Sequence, residues 1–579
     1  PARAATPPDS LVLEEVVVTA QKREQNLQDV GISITSLSGD QLNALGYTST
    51  ADIIAQTPSM RMLAFSPSLT VFNIRGVSQN DFADHYEPPV AVFVDEAYIS
   101  SQGSVNSLLF DVERVEVLRG PQGTLFGRNA TGGLIHFISR KPTTTPEGYA
   151  QVTLGQYAQT NGELAIGGPL SERVSARLAA AVVRNNGWLE NRIGDDLNRN
   201  RDFGYRLQLD FKATDSTDLL LNLHGSHNDD LSGGYSHSAL YPNADGLGGV
   251  VPADQNYYGT CNGCDLLGYR NTGDVWHQAY DRIGFLKRDI NGVTLKITSE
   301  FSRATFTSIS DYLHTSKSFG SDSDASPNDL LTFDTRQGFD QYSQELRLSG
   351  GKDATRWVTG IYLLRIDTDN MAAAGIGTLF NPRFVSQANY KLKTSSAALY
   401  GQVEHDLSKQ FTLTAGARYT YDRKTMDYLL TDNFGGSVPF NESLYPNLAR
   451  QTFRNVSAKL QLDWRPRDGV LAYASINRGH KSGSFSAPIF QPFTPESLPH
   501  GQEVLTSFEL GTKSTWADGR LRVNGSVFYY DYKDYQAFFL VGLSQADANR
   551  NATVRGGEKP PGPGPGGRPT LHPGYFRPG

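Results

Sequence analysis

From residue 290 to 530 the chain alternates apolar and polar side chains with a period of two. Phe411, Leu413, Ala415, Ala417 and Tyr419 oppose Thr412, Thr414, Gly416, Arg418 and Thr420. Val293, Leu295, Ile297 and Phe301 oppose Thr294, Lys296, Thr298, Glu300 and Ser302, and the pattern recurs over residues 457–465 and 521–530. That period belongs to strands, whose successive side chains point to opposite faces. A soluble β-sandwich also alternates, but it packs its apolar faces together. The runs here are too many and too long for one sandwich. An antiparallel transmembrane barrel, with lipid outside and water inside, needs no second sheet. Between Tyr149 and Gln536 the alternating runs number about 15.

Upstream the pattern changes. Ser49 and Thr50 precede Ala51-Asp52-Ile53-Ile54-Ala55, which predicts a short helix with an N-cap and an acidic first turn, stopped by Pro58. Residues 71–74, 90–94 and 112–118 read as strands. The chain therefore divides into a flexible arm (1–20), a small α/β domain (21–145), a strand-rich domain (146–550) and a tail (551–579). The opening Pro1-Ala2-Arg3 reads as what remains after a leader peptide is cleaved.

Composition narrows the classes. Apolar residues are 38% and mean hydropathy is −0.40, with no apolar run long enough for a membrane helix. Barrel strands escape that measure, because half their residues face water. The net charge of −7 lacks the basic footprint of a nucleic-acid binder. Tyr (27) and Phe (29) outnumber Trp (5), as suits strands and membrane-interface girdles. Cys261 and Cys264 have no second pair to complete a zinc site, so a small loop disulfide is expected. His224 and His227, three apart in a strand, fall on opposite faces and make no metal pair. Asp322, Asp324, Asn328 and Asp329 lack the glycine and terminal glutamate of an EF-hand. No metal site, cofactor site or catalytic constellation is expected.

Three stretches carry the function. Leu13-Glu14-Glu15-Val16-Val17-Val18-Thr19-Ala20 is a β-branched run beside the arm, able to add as a strand to a partner's sheet edge. Its alternative is the first strand of the small domain. Phe72-Asn73-Ile74-Arg75-Gly76-Val77 follows. Then comes Val112-Glu113-Arg114-Val115-Glu116-Val117-Leu118-Arg119-Gly120-Pro121-Gln122-Gly123-Thr124-Leu125-Phe126-Gly127-Arg128-Asn129. The glycines end in no Gly-Lys-Ser/Thr and lack dinucleotide spacing, so they bind no phosphate. Tight turns against a wall suit them better. In this order the stretches resemble the TonB box and plug signatures of TonB-dependent outer-membrane receptors. Residues 507–514 and 520–536 resemble the late barrel strands of the same family.

The resemblance implies a barrel of about 22 strands around an N-terminal plug. It implies active import of a scarce substrate across the outer membrane, a ferric siderophore foremost, with glycans, cobalamin and aromatic compounds as alternatives. TonB and its inner-membrane energising complex would grip Glu15, Val16, Val17, Val18, Thr19 and Ala20. The plug motif would be Arg75, Gly76, Arg119, Gly120, Pro121, Gly123, Gly127 and Arg128. Family plug arginines are held by wall carboxylates; Glu345, Glu404 and Glu509 lie on polar strand faces and are the candidates, with Arg119–Glu509 the pairing singled out. Asp84, His85, Tyr86 and Glu87, in the loop 79–89, would face incoming substrate. A passive porin would need neither box nor plug. A barrel enzyme would need a nucleophile and base, and none stands out.

Residues 556–579 hold eight Gly and seven Pro, unfit for a strand ladder. A frameshift or premature end near Gly556 is the expectation, leaving an incomplete barrel with unpaired edges.

Overall fold

The computed structural model describes residues 15–558 except 64–65, 80, 82, 106–107, 243–248, 518 and 542–543, together with 575–578. Leu13 and Glu14, the arm before them, most of the Gly/Pro tract, and Asn80 and Phe82 of the loop 79–89 lie outside the described residues.

The small domain is built on five strands: Ile34–Ser38, Val90–Val94, Ala97–Ile99, Val112–Arg119 and Gly133–Ser139. Val112–Arg119 lies between Ile34–Ser38 and Gly133–Ser139, and Val90–Val94 follows parallel to Gly133–Ser139 with Ala97–Ile99 at the edge. Val90, Val115, Val117, Leu118, Leu134 and Ile135 are wholly buried. This is an ordinary apolar core, assembled as in a water-soluble domain. Helix α1 (Gly39–Ala44) starts on a capping box in which Ser38 and Gln41 satisfy each other's backbone N–H. The helix expected after Ser49-Thr50 is instead a five-residue 3-10 turn, Asp52–Gln56. The Asp52 carboxylate accepts the backbone N–H groups of Thr48 and Ser49, so the capping runs backwards from the first turn.

Around this domain bends one 18-stranded antiparallel sheet, from Glu147–Leu154 to Tyr575–Pro578. Its middle strands reach 22 and 23 residues. Every strand pairs with its sequence neighbour in the sheet, so the wall is a meander. Among the described residues it does not close on itself. The strand Ser544–Glu558 runs past position 550 and is paired to its end.

The alternation is inverted relative to the plug. On Phe411–Asp432 the polar Thr412, Thr414, Arg418 and Thr420 are buried against the plug, whereas Phe411 and Tyr419 are exposed. Leu399, Leu460, Trp464, Leu510 and Val527 are likewise exposed on the outer face. A sheet whose apolar face points away from its filled interior is stable only where that face meets lipid. One rim has tight turns, such as 353–354 and 468–469; the other has long loops, such as 251–276 and 486–494. Short turns mark the periplasmic side. Phe411 and Trp464 stack at that rim, 6.3 Å apart, as a girdle residue pair.

Candidate functional site

The polar contact between plug and wall carries most of the charged residues singled out above. At its periplasmic end the segment before the plug is stowed. Val17–Val18 (β1) pairs antiparallel with Gln25–Asn26 (β2), and Val16 O accepts the Leu27 N–H at 2.8 Å. Val18 and Ala20 are buried while Val17 stays exposed. The Thr19 backbone N–H and hydroxyl both donate to the Glu116 carboxylate, at 2.9 and 3.2 Å. Glu116 is wholly buried and takes a second bond from Arg114 Nε at 2.8 Å. Glu15 accepts from Asn26 on the surface.

The chain then turns at Lys22, whose φ is +59°. The Lys22 ammonium reaches Glu345 on the wall at 3.0 Å and lies 5.0 Å from the Phe126 ring. Burial pulls its pKa below the ordinary value, and Glu345 opposes that pull. Glu345 also accepts from Tyr400 and lies 3.4 Å from Arg347, which crosses back to plug residue Glu96 at 2.8 Å. Arg23 pairs with Glu404.

At the far side of the plug Arg75 enters the wall from a backbone with φ +55°. Its guanidinium donates to Glu509 at 2.6 Å, to Glu558 at 2.7 and 2.9 Å, and to Tyr530 at 2.8 Å. It lies over the Phe528 ring at 4.1 Å. Burial depresses its pKa, but Glu509, Tyr530 and Glu558 together outweigh burial and raise it. Arg119 does not take Glu509. It sits 3.4 Å from Glu558 and donates to Pro58 O and Thr35, because Arg75 and Tyr473 already occupy the two oxygens of Glu509. Arg128 pairs with Glu87 of its own plug and lies 3.4 Å from wall residue Asp422.

The glycines let the backbone press on this wall. A Cβ on Gly127, at φ +90°, would fall 2.7 Å from the Arg418 guanidinium; one on Gly123 would fall 2.8 Å from Ser457 Oγ.

The loop expected to face incoming substrate is buried. Asp84 pairs with Lys317, Tyr86 donates to Asp547, and Glu87 takes Lys424 at 2.8 Å besides Arg128. His85 Nε2 donates to Phe485 O at 2.7 Å and Nδ1 accepts from Tyr390 at 3.2 Å. The reason is the loop after Lys481, which folds inward and lays Phe485 on His85. Burial lowers the His85 pKa to about 4, with Lys424 adding to it. Burial would raise Glu87, but Arg128 and Lys424 win and bring it to about 2. These four residues are plug–wall ties in this state rather than open contacts.

Lys22, Arg23, Lys317, Lys424, Asp547 and Glu558 were not singled out from sequence. Lys22 and Arg23 had a signal, since they directly follow the β-branched run. Elsewhere, Cys261 and Cys264 form a disulfide. His224 is half-buried on the lumenal face while His227 faces outward and pairs with Asp289 at 2.7 Å. Asp329 pairs with Arg383, and Asp324 accepts the Leu331 N–H at 2.7 Å.

Two family descriptions match the chain: the TonB-dependent receptor plug domain over residues 26–134, and the TonB-dependent receptor-like β-barrel over residues 140–558. The pesticin receptor of Yersinia pestis is 24% identical over 553 residues, covering 90% of this chain and 71% of that protein. The ferripyoverdine receptor of Pseudomonas aeruginosa is 27% identical over 224 residues, covering 38% of this chain and 26% of that protein. Among solved structures, the ferric yersiniabactin uptake receptor of Yersinia pestis superposes with a TM-score of 0.75 at 20% identity, covering 91% of this chain and 76% of that one. A siderophore receptor of Acinetobacter baumannii gives 0.73 at 16% identity, covering 95% and 79%.

Proposed function

The chain belongs to the TonB-dependent receptors of the bacterial outer membrane, a family of transporters and receptors, and from that premise we propose that it imports a ferric siderophore. The observation that carries this reading is the stowed segment at residues 15–20, joined at once to a plug held in the wall by ion pairs. A short hairpin extended by the Leu27 N–H to Val16 O bond, the Glu116 carboxylate and the burial of Val18 and Ala20 hold the segment, so a strand-adding partner competes with a short ladder. TonB is that partner. Tension on the segment is delivered first to Lys22–Glu345 and Arg23–Glu404, and only later to Arg75 with its two carboxylates. The order follows from chain position, since the pull travels along the backbone. The siderophore assignment is supported by the relatives, whose names include ferripyoverdine and ferrioxamine B receptors.

The test is accumulation of radiolabelled ferric siderophores in cells carrying the chain as their sole receptor. Deleting residues 15–20 should abolish accumulation while leaving chelate binding at the surface. A passive channel would go on accumulating without them, and that outcome overturns the reading.

A further inference from the structure

On the long-loop rim two of the five tryptophans meet in the open. Trp188 and Trp276 are 42% and 55% exposed, with ring centroids 5.7 Å apart and planes at 73°. They come from loops 85 residues or more apart in sequence that are stitched together. Glu190–Asn191 pairs in parallel with His277–Gln278, and the Glu190 N–H donates to Trp276 O at 3.0 Å. Beneath the stitch, buried Asn191 exchanges hydrogen bonds with the Tyr280 backbone at 3.0 and 3.1 Å. The Trp188 backbone N–H donates to Leu197 O at 3.2 Å, and the Trp276 backbone N–H to Asp274 Oδ1 at 2.9 Å. The exposed rings are therefore held by a built framework and are not loop ends left loose.

The rim of this corner is polar. His277 lies between Asp274, 2.7 Å from Nδ1, and Glu190, 3.3 Å from Nε2, and all three side chains remain partly open. A ligand must thus present apolar faces to two indoles and hydrogen-bond donors to two carboxylates. A sugar ring does both: its C–H faces stack on aromatic surfaces and its equatorial hydroxyls donate. The paired carboxylates disfavour phosphate or carboxylate groups, which argues against an anionic lipid headgroup or an anionic chelate. We propose that Trp188 and Trp276 form a binding corner for a neutral saccharide chain at the cell surface. It stands apart from the import reading, since neither tryptophan is among the residues described above that tie the plug to the wall.

The full chain in nanodiscs would be tested on an array of bacterial, plant and host oligosaccharides, and the strongest hit titrated by calorimetry. A neutral oligosaccharide should bind and shift the intrinsic tryptophan fluorescence. W188A and W276A should each weaken it roughly tenfold, E190Q a few-fold, and W276F should retain most of it. Binding of no arrayed glycan overturns the proposal. So does binding that survives W188A/W276A in a protein with unchanged far-ultraviolet dichroism. If the same variant instead loses only affinity for glycan-free phospholipid vesicles, the corner is a bilayer contact and the proposal also fails.

Discussion

In the plug, Val115, Val117 and Ile135 are wholly buried and the strands around them close over an apolar core. In the wall strand Phe411–Asp432 the buried side chains are Thr412, Thr414, Arg418 and Thr420, and Phe411 and Tyr419 look outward. One chain thus folds under two solvents. The interface between the regions is where charge concentrates, because each must satisfy polar groups the other buries. Arg75, Lys22, Arg128 and Asp84 all leave the plug and end on charged wall residues. The two regions share apolar packing, with wall residues Ile290, Leu313, Phe339, Leu364 and Ile366 in one buried cluster with the plug core, and the paired charges add specific ties across the same interface.

That contrast is broken most severely at Arg75. Arg75→Met removes one guanidinium and strands Glu509 and Glu558 without it, both nearly closed off from water. Breaking a buried pair costs on the order of 3–5 kcal/mol. Thermal unfolding followed by intrinsic tryptophan fluorescence should show a correspondingly lower midpoint. Arg75→Met/Glu509→Gln should recover part of it. An unchanged midpoint in the single variant would mean the tie is not structural.

The next largest effect lies on the outer face. Leu399 sits within an apolar outward run bounded by Lys393 and His405 and is 61% exposed. Leu399→Arg should cost roughly 2–4 kcal/mol of wall stability, and Trp464→Arg at the rim about 0–1 kcal/mol. Heat-modifiable migration in gels reports wall assembly directly. Equal losses at both sites would contradict the lipid-facing assignment.

How much of this was readable in advance follows from which interactions are local. Strand parity is local, so the wall strands, and the lumenal placement of Glu345, Glu404 and Glu509, follow from alternation alone. Their partners do not. Lys22 and Glu345 are 323 positions apart, and Arg75 and Glu558 are 483 apart. No periodicity links such positions, so Glu509 was matched to Arg119 when Arg75 holds it. Gly556-Gly557 read as the loss of a strand, yet the ladder continues through both because neighbouring backbone needs no side chain to pair. The resemblance set the loop 79–89 toward incoming substrate; what covers Asp84, His85, Tyr86 and Glu87 is the segment after Lys481, whose inward fold has no sequence signature.

Acid separates the apical contact from the rest. The neutral His85 ring is favoured in the folded state, with a pKa of about 4 against an ordinary 6.5. Its contribution is complete above pH 6.5 and is lost as pH falls toward 4. It amounts to on the order of 3 kcal/mol at most. Glu87, depressed to about 2, follows: its contribution is complete above pH 4.5 and is lost as pH falls toward 2. Hydrogen-exchange protection factors at residues 83–87, corrected for the pH dependence of intrinsic exchange, should therefore fall between pH 6.5 and 4. His85→Phe should flatten that range and leave only the lower one.

The smallest effect is expected at the stowed segment. Glu116→Gln keeps the shape but weakens the bonds to Thr19 from charge-assisted to neutral, about 1 kcal/mol. The plug core should not notice, since Val115 and Val117 face away from that carboxylate along the alternating strand. A spin label at exposed Val17 should gain mobility while the unfolding midpoint moves little. If the label stays immobile, the two-residue hairpin with Gln25–Asn26 suffices to stow the segment. Release by a strand-adding partner would then have to begin at β2 rather than at Thr19.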